Sequence, residues 1–456
     1  MSPRRPISPR IRPGLTPAAP PRRARASVMI IVMWVCLGLV ALTLYFGNSM
    51  IGELRAADYR VAEVTARQAA AGGARYAAYV LSQFGTAGTV PRIEDYQAED
   101  LPVGDGSFWF IGRDTNQVPG TEPYFALVDE ASKINLNTAP RAMLEALPLI
   151  TPELVDAILS WRSRNAADSG DSNYSRLDPP RTNKAGPFET ADELRLVYGA
   201  TLELILGEDT NRNGILDENE NDAERSAPRD NGDGLLQAGL LEYVTVWSRE
   251  PNTRSTGGRR INITTTQGRA QIDNVLRQRF GPQRAQQIAA AVGPGQIRSV
   301  AEYMVAGRFT AEEWNQIRTE VTHRDGATVQ GLVNVNTASE TVLACIPGIG
   351  PENASALVAY RLQNPDVLTS FFWLTQLLTR GDLARAGPYL TDRSYQFSAD
   401  VAAVGRAGRG YCRQKTIYDL SAGTPRAVYR QDLSAAGWAL GSAVRQSLRE
   451  TRADRT

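Results

Sequence analysis

Residues 25–46 read R-A-S-V-M-I-I-V-M-W-V-C-L-G-L-V-A-L-T-L-Y-F, and from Val28 to Phe46 there is no charged residue. As a helix, that run is about 28 Å long and spans a bilayer core. Ahead of it stands a tail with seven arginines (Arg4, Arg5, Arg10, Arg12, Arg22, Arg23, Arg25) and no acidic residue. Positive charge flanking a span stays on the cytoplasmic side. The tail is therefore expected in the cytoplasm, and everything after Asn48 on the far side of the membrane. A cleaved secretory signal is the competing reading. Its apolar region is normally shorter and leads into a small-x-small site. The sequence G-N-S-M-I-G-E-L-R after Phe46 offers no such site, so a retained single-pass anchor is expected.

The charge balance, 50 basic against 49 acidic residues, gives no global sign of a nucleic-acid binder or an acidic tail. His323 is the single histidine, which argues against His-based metal sites and against Ser-His or Cys-His catalytic pairs. Cys36, Cys345 and Cys412 are too few and too scattered for a disulfide framework. Cys345 and Cys412 are expected to be free buried thiols, with a bridge between them as the open alternative. The chain carries no nucleophile elbow, P-loop, dinucleotide fingerprint or zinc spacing, so an enzyme is not expected.

Residues 1–24, rich in Pro, Arg and Ala, are expected to be disordered. Beyond the span, Met50 to Phe84 contains no Pro, and Leu54, Ala57, Val61 and Val64 fall at helical spacing. The sequence therefore predicts one helix of about fifty residues, half in lipid and half amphipathic, loosened at Gly72-Gly73. Ser107-Phe-Trp-Phe-Ile-Gly and Tyr124-Phe-Ala-Leu-Val-Asp read as strands between turn residues. So do Tyr395–Val404, Tyr411–Tyr418 and Arg426–Arg430. The last dozen residues are polar and expected to be frayed.

Between these β-like ends the chain repeats itself. Ile134-Asn-Leu-Asn-Thr-Ala through Trp161-Arg162 aligns without a gap on Val333-Asn-Val-Asn-Thr-Ala through Tyr360-Arg361. A fainter copy starts at Ile261-Asn-Ile-Thr and ends near Val300-Ala-Glu-Tyr-Met. Repetition of this kind predicts a region of stacked helical hairpins. Pro347-Gly-Ile-Gly-Pro351 is a helix-hairpin-helix turn, which in many proteins offers backbone N–H groups to a DNA phosphate. Two features favour a structural hairpin here. Glu340 and Glu352 flank the turn where phosphate binding needs Lys or Arg, and the sister turn Pro148-Leu-Ile-Thr-Pro lacks both glycines.

The most specific local motif is Asp209-Thr-Asn-Arg-Asn-Gly-Ile-Leu-Asp-Glu-Asn-Glu220. It fits a twelve-residue calcium loop at every ligand position. Asp209, Asn211 and Asn213 would supply side-chain oxygens, Ile215 its carbonyl, Asp217 a direct or water-borne contact, and Glu220 a bidentate carboxylate. Calcium is therefore the expected cofactor. Asp230, Asn231 and Asp233 form a weaker echo, with Arg229 where a first ligand belongs.

The start at Arg25, Asp129-Glu-Ala-Ser-Lys-Ile-Asn-Leu-Asn-Thr-Ala139, Pro187-Phe-Glu-Thr-Ala-Asp-Glu-Leu194 and Tyr429-Arg-Gln-Asp-Leu433 together resemble the protein K family of type II secretion minor pseudopilins. The resemblance implies an α+β, pilin-like fold, with a long helix on a β-sheet and a large helical insertion that is the repeat region. In those terms residues 1–25 are a basic tail and prepilin leader, and 26–84 the transmembrane and pilin-like helix. Residues 85–131 begin the β domain, 132–380 form the insertion with the calcium loop, and 381–456 return as strands and a polar tail. The resemblance also implies a place at the pseudopilus tip beside other minor pseudopilins, with the anchor in the inner membrane and the body in the periplasm. Trimming by a prepilin peptidase would fall between Ala26 and Ser27, with Ala26 where such proteins usually carry Gly. Counted from Ser27, the fifth residue is Ile31, where pilin-like subunits usually have Glu. No nucleic-acid partner is expected; the alternative is a membrane-anchored DNA receptor using residues 347–351.

Overall fold

A computed structural model describes residues 24–84, 88–117, 120–164 and 171–453, so the tail through Arg23 lies outside the described residues. The chain divides into two units, 1–60 and 61–456. A continuous helix runs Ala24–Phe84. In the first unit its apolar side chains, including Ile31, Trp34, Leu39 and Phe46, are all exposed. The helix is long and apolar enough to cross a membrane, and none of its apolar window is buried.

In the second unit the helix has one buried face: Ala62, Ala66, Ala69, Ala70, Ala77 and Leu81. With Ala74 between Ala70 and Ala77, they recur every three or four residues along one face, and alanine keeps that face flat enough for a sheet to approach. Gly72-Gly73 does not loosen the helix. A Cβ on Gly73 would lie 2.6 Å from Val401 Cγ1 and 2.8 Å from Phe108 Cδ2, so the missing side chain is the space the sheet fills.

Along the chain come β1 (Leu101–Val103), β2 (Gly106–Phe110) and β3 (Val128–Asp129). Then follow the insertion and, after it, β12 (Gln396–Val404), β13 (Tyr411–Asp419) and β14 (Arg426–Asp432). The strand order is β1-β2-β12-β13-β14, with β3 also pairing β12, and every pairing is antiparallel. Phe108, Phe110, Phe397, Ala399, Val401 and Tyr418 face the long helix. Trp109, Ile111, Ala402 and Val404, on the alternate positions, face the other way. Tyr124–Asp129 was expected to form a whole strand, but only Val128 and Asp129 pair as one, while Phe125 makes a single bridge to Ile111. The reason is competition: β2 already occupies Val401–Val404 of β12, leaving Phe397 and Ser398 for β3. The C-terminal residues also differ from expectation. Gly441–Ala453 is a helix, and its Val444 and Leu448, four residues apart, pack under it against the Trp109 face.

The insertion is three copies of one unit. The opening strands are β4 (Ile134–Asn135), β7 (Ile261–Asn262) and β10 (Val333–Asn334). Each pairs in parallel with a closing strand: β5 (Val244–Thr245), β8 (Val321–Thr322) and β11 (Leu390–Thr391) respectively. A short antiparallel pair, β6 (Arg249–Pro251) with β9 (Thr328–Gln330), links the ends of the middle copy. In all three copies the first Asn accepts from the N–H two residues on: Asn135 from Asn137, Asn262 from Thr264, Asn334 from Asn336. The closing Thr does the same: Thr245 from Trp247, Thr322 from Arg324, Thr391 from Arg393. These side-chain turns fix where each strand stops. The faint middle copy is therefore a full one. Its hairpin is hidden in the helix Thr266–Val292, which Gly281 (φ 81°) and Pro282 break into two. Helix Arg380–Ala386 and β11, which follow residue 380, close the third copy, and the sheet resumes at Gln396. One apolar core runs through all three copies.

Candidate functional site

The calcium-like loop is an excursion of the first copy, between helix Leu202–Leu206 and β5. Its backbone turns twice through left-handed conformations, at Arg212 (φ 59°) and Gly214 (φ 74°). The Asp209 carboxylate accepts from the N–H groups of Asn213 and Gly214, both at 2.9 Å. Asn211 Oδ1 accepts from Asn213 N and Asn213 Oδ1 from Ile215 N. The two amide Nδ2 groups donate to Asp217 Oδ2 at 2.6 and 3.0 Å. Glu220 folds back, taking the N–H of Thr210 and of Asp217 on its two oxygens, each at 3.2 Å. The buried Ile215 and Leu216 side chains turn the loop inward.

The side chains of Asp209, Asn211, Asn213, Asp217 and Glu220 thus share one hydrogen-bonded loop, to which Ile215 contributes its N–H. Among the described residues no three Asp, Glu, His or Cys side chains gather as a metal-holding group by themselves. The loop's acids, Asp209, Asp217 and Glu220, are interleaved with amides and main chain. The donor chemistry is all oxygen, which suits a hard divalent cation. Charge is poorly balanced there. Glu220 is 1% exposed, and burial followed by the nearby Asp209 charge pushes its carboxyl up to about 8. Burial also raises Asp209, against the opposing pull of Arg113. A buried carboxylate without a counter-charge is costly, and a bound cation removes that cost.

The second acidic stretch is more open. Asp230 accepts from Asp222 N, Ala223 N and Gly232 N, and Asn231 bonds to Asp233. Asn231 and Asp233 are exposed.

Sequence reasoning missed the groups that hold the first loop from outside. Arg113, just after β2, donates to the carbonyls of Asn213 (3.1 Å) and Arg212 (3.0 Å). Arg413 on β13 donates to the carbonyls of Asn211 and Arg212. Asn211 Nδ2 also reaches Trp438 O, and Leu216 N reaches Gly120 O. These partners lie about a hundred or more residues away, with no local signal. The one hint is that Arg413 and Lys415 share one strand face with the apolar Ile417. Beside the loop is a cavity of about 90 Å³ lined by Arg113, Glu130, Lys133, Asp400, Lys415 and Glu242. Burial opposes ionisation of Glu242, but Arg113 and Lys133 together hold its carboxyl below the usual range.

The hairpin turn at 347–351 is covered at Gly348 and open at Gly350. A Cβ on Gly348 (φ 94°) would lie 2.5 Å from Asp382 O and 2.8 Å from Arg385 Cβ, so the following helix covers that residue. In the first copy, Leu149 takes the same left-handed conformation (φ 61°) at the matching position. The cysteines are free, and Cys345 Sγ bonds to Ala146 O and Thr341 O. Ala26 and Ser27 lie in the first turn of the long helix.

A family model described as a helix-hairpin-helix motif matches residues 329–369. The match covers the first part of the third copy, turn included. No curated protein matches the sequence. Among solved structures, the chain is similar to one in the crystal structure of the GspK-GspI-GspJ complex of the enterotoxigenic Escherichia coli type 2 secretion system. The two are 11% identical, the match covers 85% of this chain and 98% of that one, and the TM-score is 0.38.

Proposed function

We propose that the chain is a minor pseudopilin of the protein K type, a structural subunit at the tip of a type II secretion pseudopilus. The observation that carries this reading is the Ala24–Phe84 helix. Its first part is uncharged and exposed, suited to lipid, and its second part is an alanine-faced spine packed on an antiparallel sheet. An element that is half anchor and half core is what a subunit needs if it is drawn from a membrane into a helical filament. The arginine tail sets the amino terminus in the cytoplasm and the body in the periplasm. Prepilin peptidase would cut between Ala26 and Ser27. The insertion, absent from a minimal helix-and-sheet unit, would cap the filament.

The loop at 209–220 holds calcium on this reading, with Asp209, Asn211, Asn213, the Ile215 carbonyl, Asp217 and Glu220 as its oxygen donors and Asp230, Asn231 and Asp233 as a weaker second set. The cation supplies positive charge to a buried acidic ring and has a structural role. The DNA-receptor reading is disfavoured because Gly348 is covered by helix Arg380–Ala386 and the turn is flanked by Glu340 and Glu352, with no Lys or Arg between them.

The test is co-purification. The full chain, expressed with the other minor pseudopilins of its own cell and extracted in detergent, is expected to elute with them as one complex. Elution of the chain alone, together with tight binding to DNA in low salt, would point to the receptor reading instead.

A further inference from the structure

We propose that Arg113 and Arg413 form a clamp that pre-shapes the 209–220 loop and so sets its affinity for calcium; the inference rests on the calcium reading above. Three successive loop carbonyls are held from outside: Asn211 by Arg413, Arg212 by both arginines, and Asn213 by Arg113. Arg212 is the residue that most needs holding. It has a Cβ yet sits at φ 59°, a left-handed conformation that is unfavourable for an ordinary L-residue. The two guanidinium groups converge on its carbonyl at 2.8 and 3.0 Å.

Each arm of the clamp is already neutralised. Arg113 Nε bonds to Glu242 Oε1 at 2.8 Å. Arg413 grips Asp400 through Nε at 2.9 Å and Nη2 at 2.6 Å. The donors therefore position the main chain without bringing unbalanced positive charge to the ring, although Arg113 Nη2 comes within 4.0 Å of Asp209 Oδ2. Asp209, Asp217 and Glu220 remain to attract a cation.

The arms belong to the sheet side of the fold, one following β2 and one on β13, while the loop belongs to the first helical copy. Calcium affinity depends on ligand charge and on the rigidity of the site. Donors already in place lose less freedom on binding. Without the clamp, the loop relaxes away from the left-handed turn at Arg212, and the cation must restore it. By reciprocity, calcium strengthens the grip of the sheet on the first copy.

The test uses the detergent-solubilised full chain, with calcium uptake measured by titration calorimetry and loop amides followed by hydrogen exchange. Arg413→Met is combined with Asp400→Asn, so that no carboxylate is left buried alone. The pair is expected to bind calcium at least tenfold more weakly, and calcium should slow exchange at residues 209–217 less than in the wild type. Arg413→Lys, which keeps the charge but on a single donor nitrogen, should recover part of the loss. A second pair, Arg113→Gln with Glu242→Gln, should weaken binding in the same way and serves if the first pair does not fold. Wild-type affinity in a folded pair would overturn the clamp while leaving calcium intact. A wild-type chain that takes up no calcium would overturn the calcium reading, and the clamp with it.

Discussion

Gly73 of the long helix lies so close to Val401 of the central strand that a Cβ on the glycine would stand 2.6 Å from the valine Cγ1. Helix and sheet meet there without a side chain between them. Gly73→Leu is expected to push the sheet away and cost at least about 1–3 kcal/mol. The expected sign is a lowered melting temperature with the anchor still in the membrane. A variant as stable as wild type would mean that helix and sheet are not in contact at this point.

Asp129 is enclosed by donors. Its Oδ2 accepts from Ser394 Oγ, Thr337 Oγ1 and Asn334 Nδ2, and its Oδ1 from Ala131 N. Burial outweighs these bonds and raises its carboxyl to about 6. Because the folded value lies above the unfolded one, protonation favours the folded state. The contribution is full below the unfolded value and lost as pH rises through about 6. Relative to Asp129→Asn, the wild type should gain about 2–3 kcal/mol between pH 7 and pH 4. Denaturant unfolding of both proteins across that range reads the difference. A constant gap would show that Asp129 does not titrate there.

The calcium loop gives a third expectation. A cation at a hundred times its dissociation constant adds about 2.7 kcal/mol to a folded state that alone binds it. Chelator should therefore lower the melting temperature, and Asp209→Ala with Glu220→Ala should remove that response. Melting indifferent to calcium and chelator would leave only a hydrogen-bonded turn.

Much of this fold is legible in the sequence, because its signals are local. The uncharged span, the alternation of Gln396–Val404 and the repeated Ile-Asn and Val-Asn starts each show within a few residues. Even the helix-end arginines are in register. Arg162 donates to the carbonyls of Leu136 and Ala139, and Arg361 to those of Val335 and Ala338. What the sequence hides depends on distant partners. The middle copy is faint because its hairpin is longer and is marked only by Gly281-Pro282. The role of Gly72-Gly73 depends on what packs against them. The C-terminal helix needs the apolar sheet face beneath Val444 and Leu448. The candidate loop shows its own ligands plainly, yet Arg113 and Arg413 become part of it only when β2 and β13 are placed beside it.

The amino terminus gives a fourth expectation. On the proposed reading, a cut before Ser27 puts Ile31 where pilin-like subunits usually have Glu, so no carboxylate there would meet the terminal amine of a subunit added earlier, as expected of a subunit that enters first. Ile31→Glu should leave the protein folded and inserted but add no function. Ala26→Asp should block trimming and secretion together. The mass of the mature amino terminus reads the cut. A secreting strain whose protein retains residues 1–26 would show that trimming is not required.

Export itself tests the pseudopilin role most directly. Proteins released into the medium are compared between the source strain, a strain lacking this chain, and that strain supplied with the full chain. Type II substrates are expected to be retained in the periplasm without the chain and to return to the medium when it is restored. Undiminished export from the strain lacking it would contradict the role.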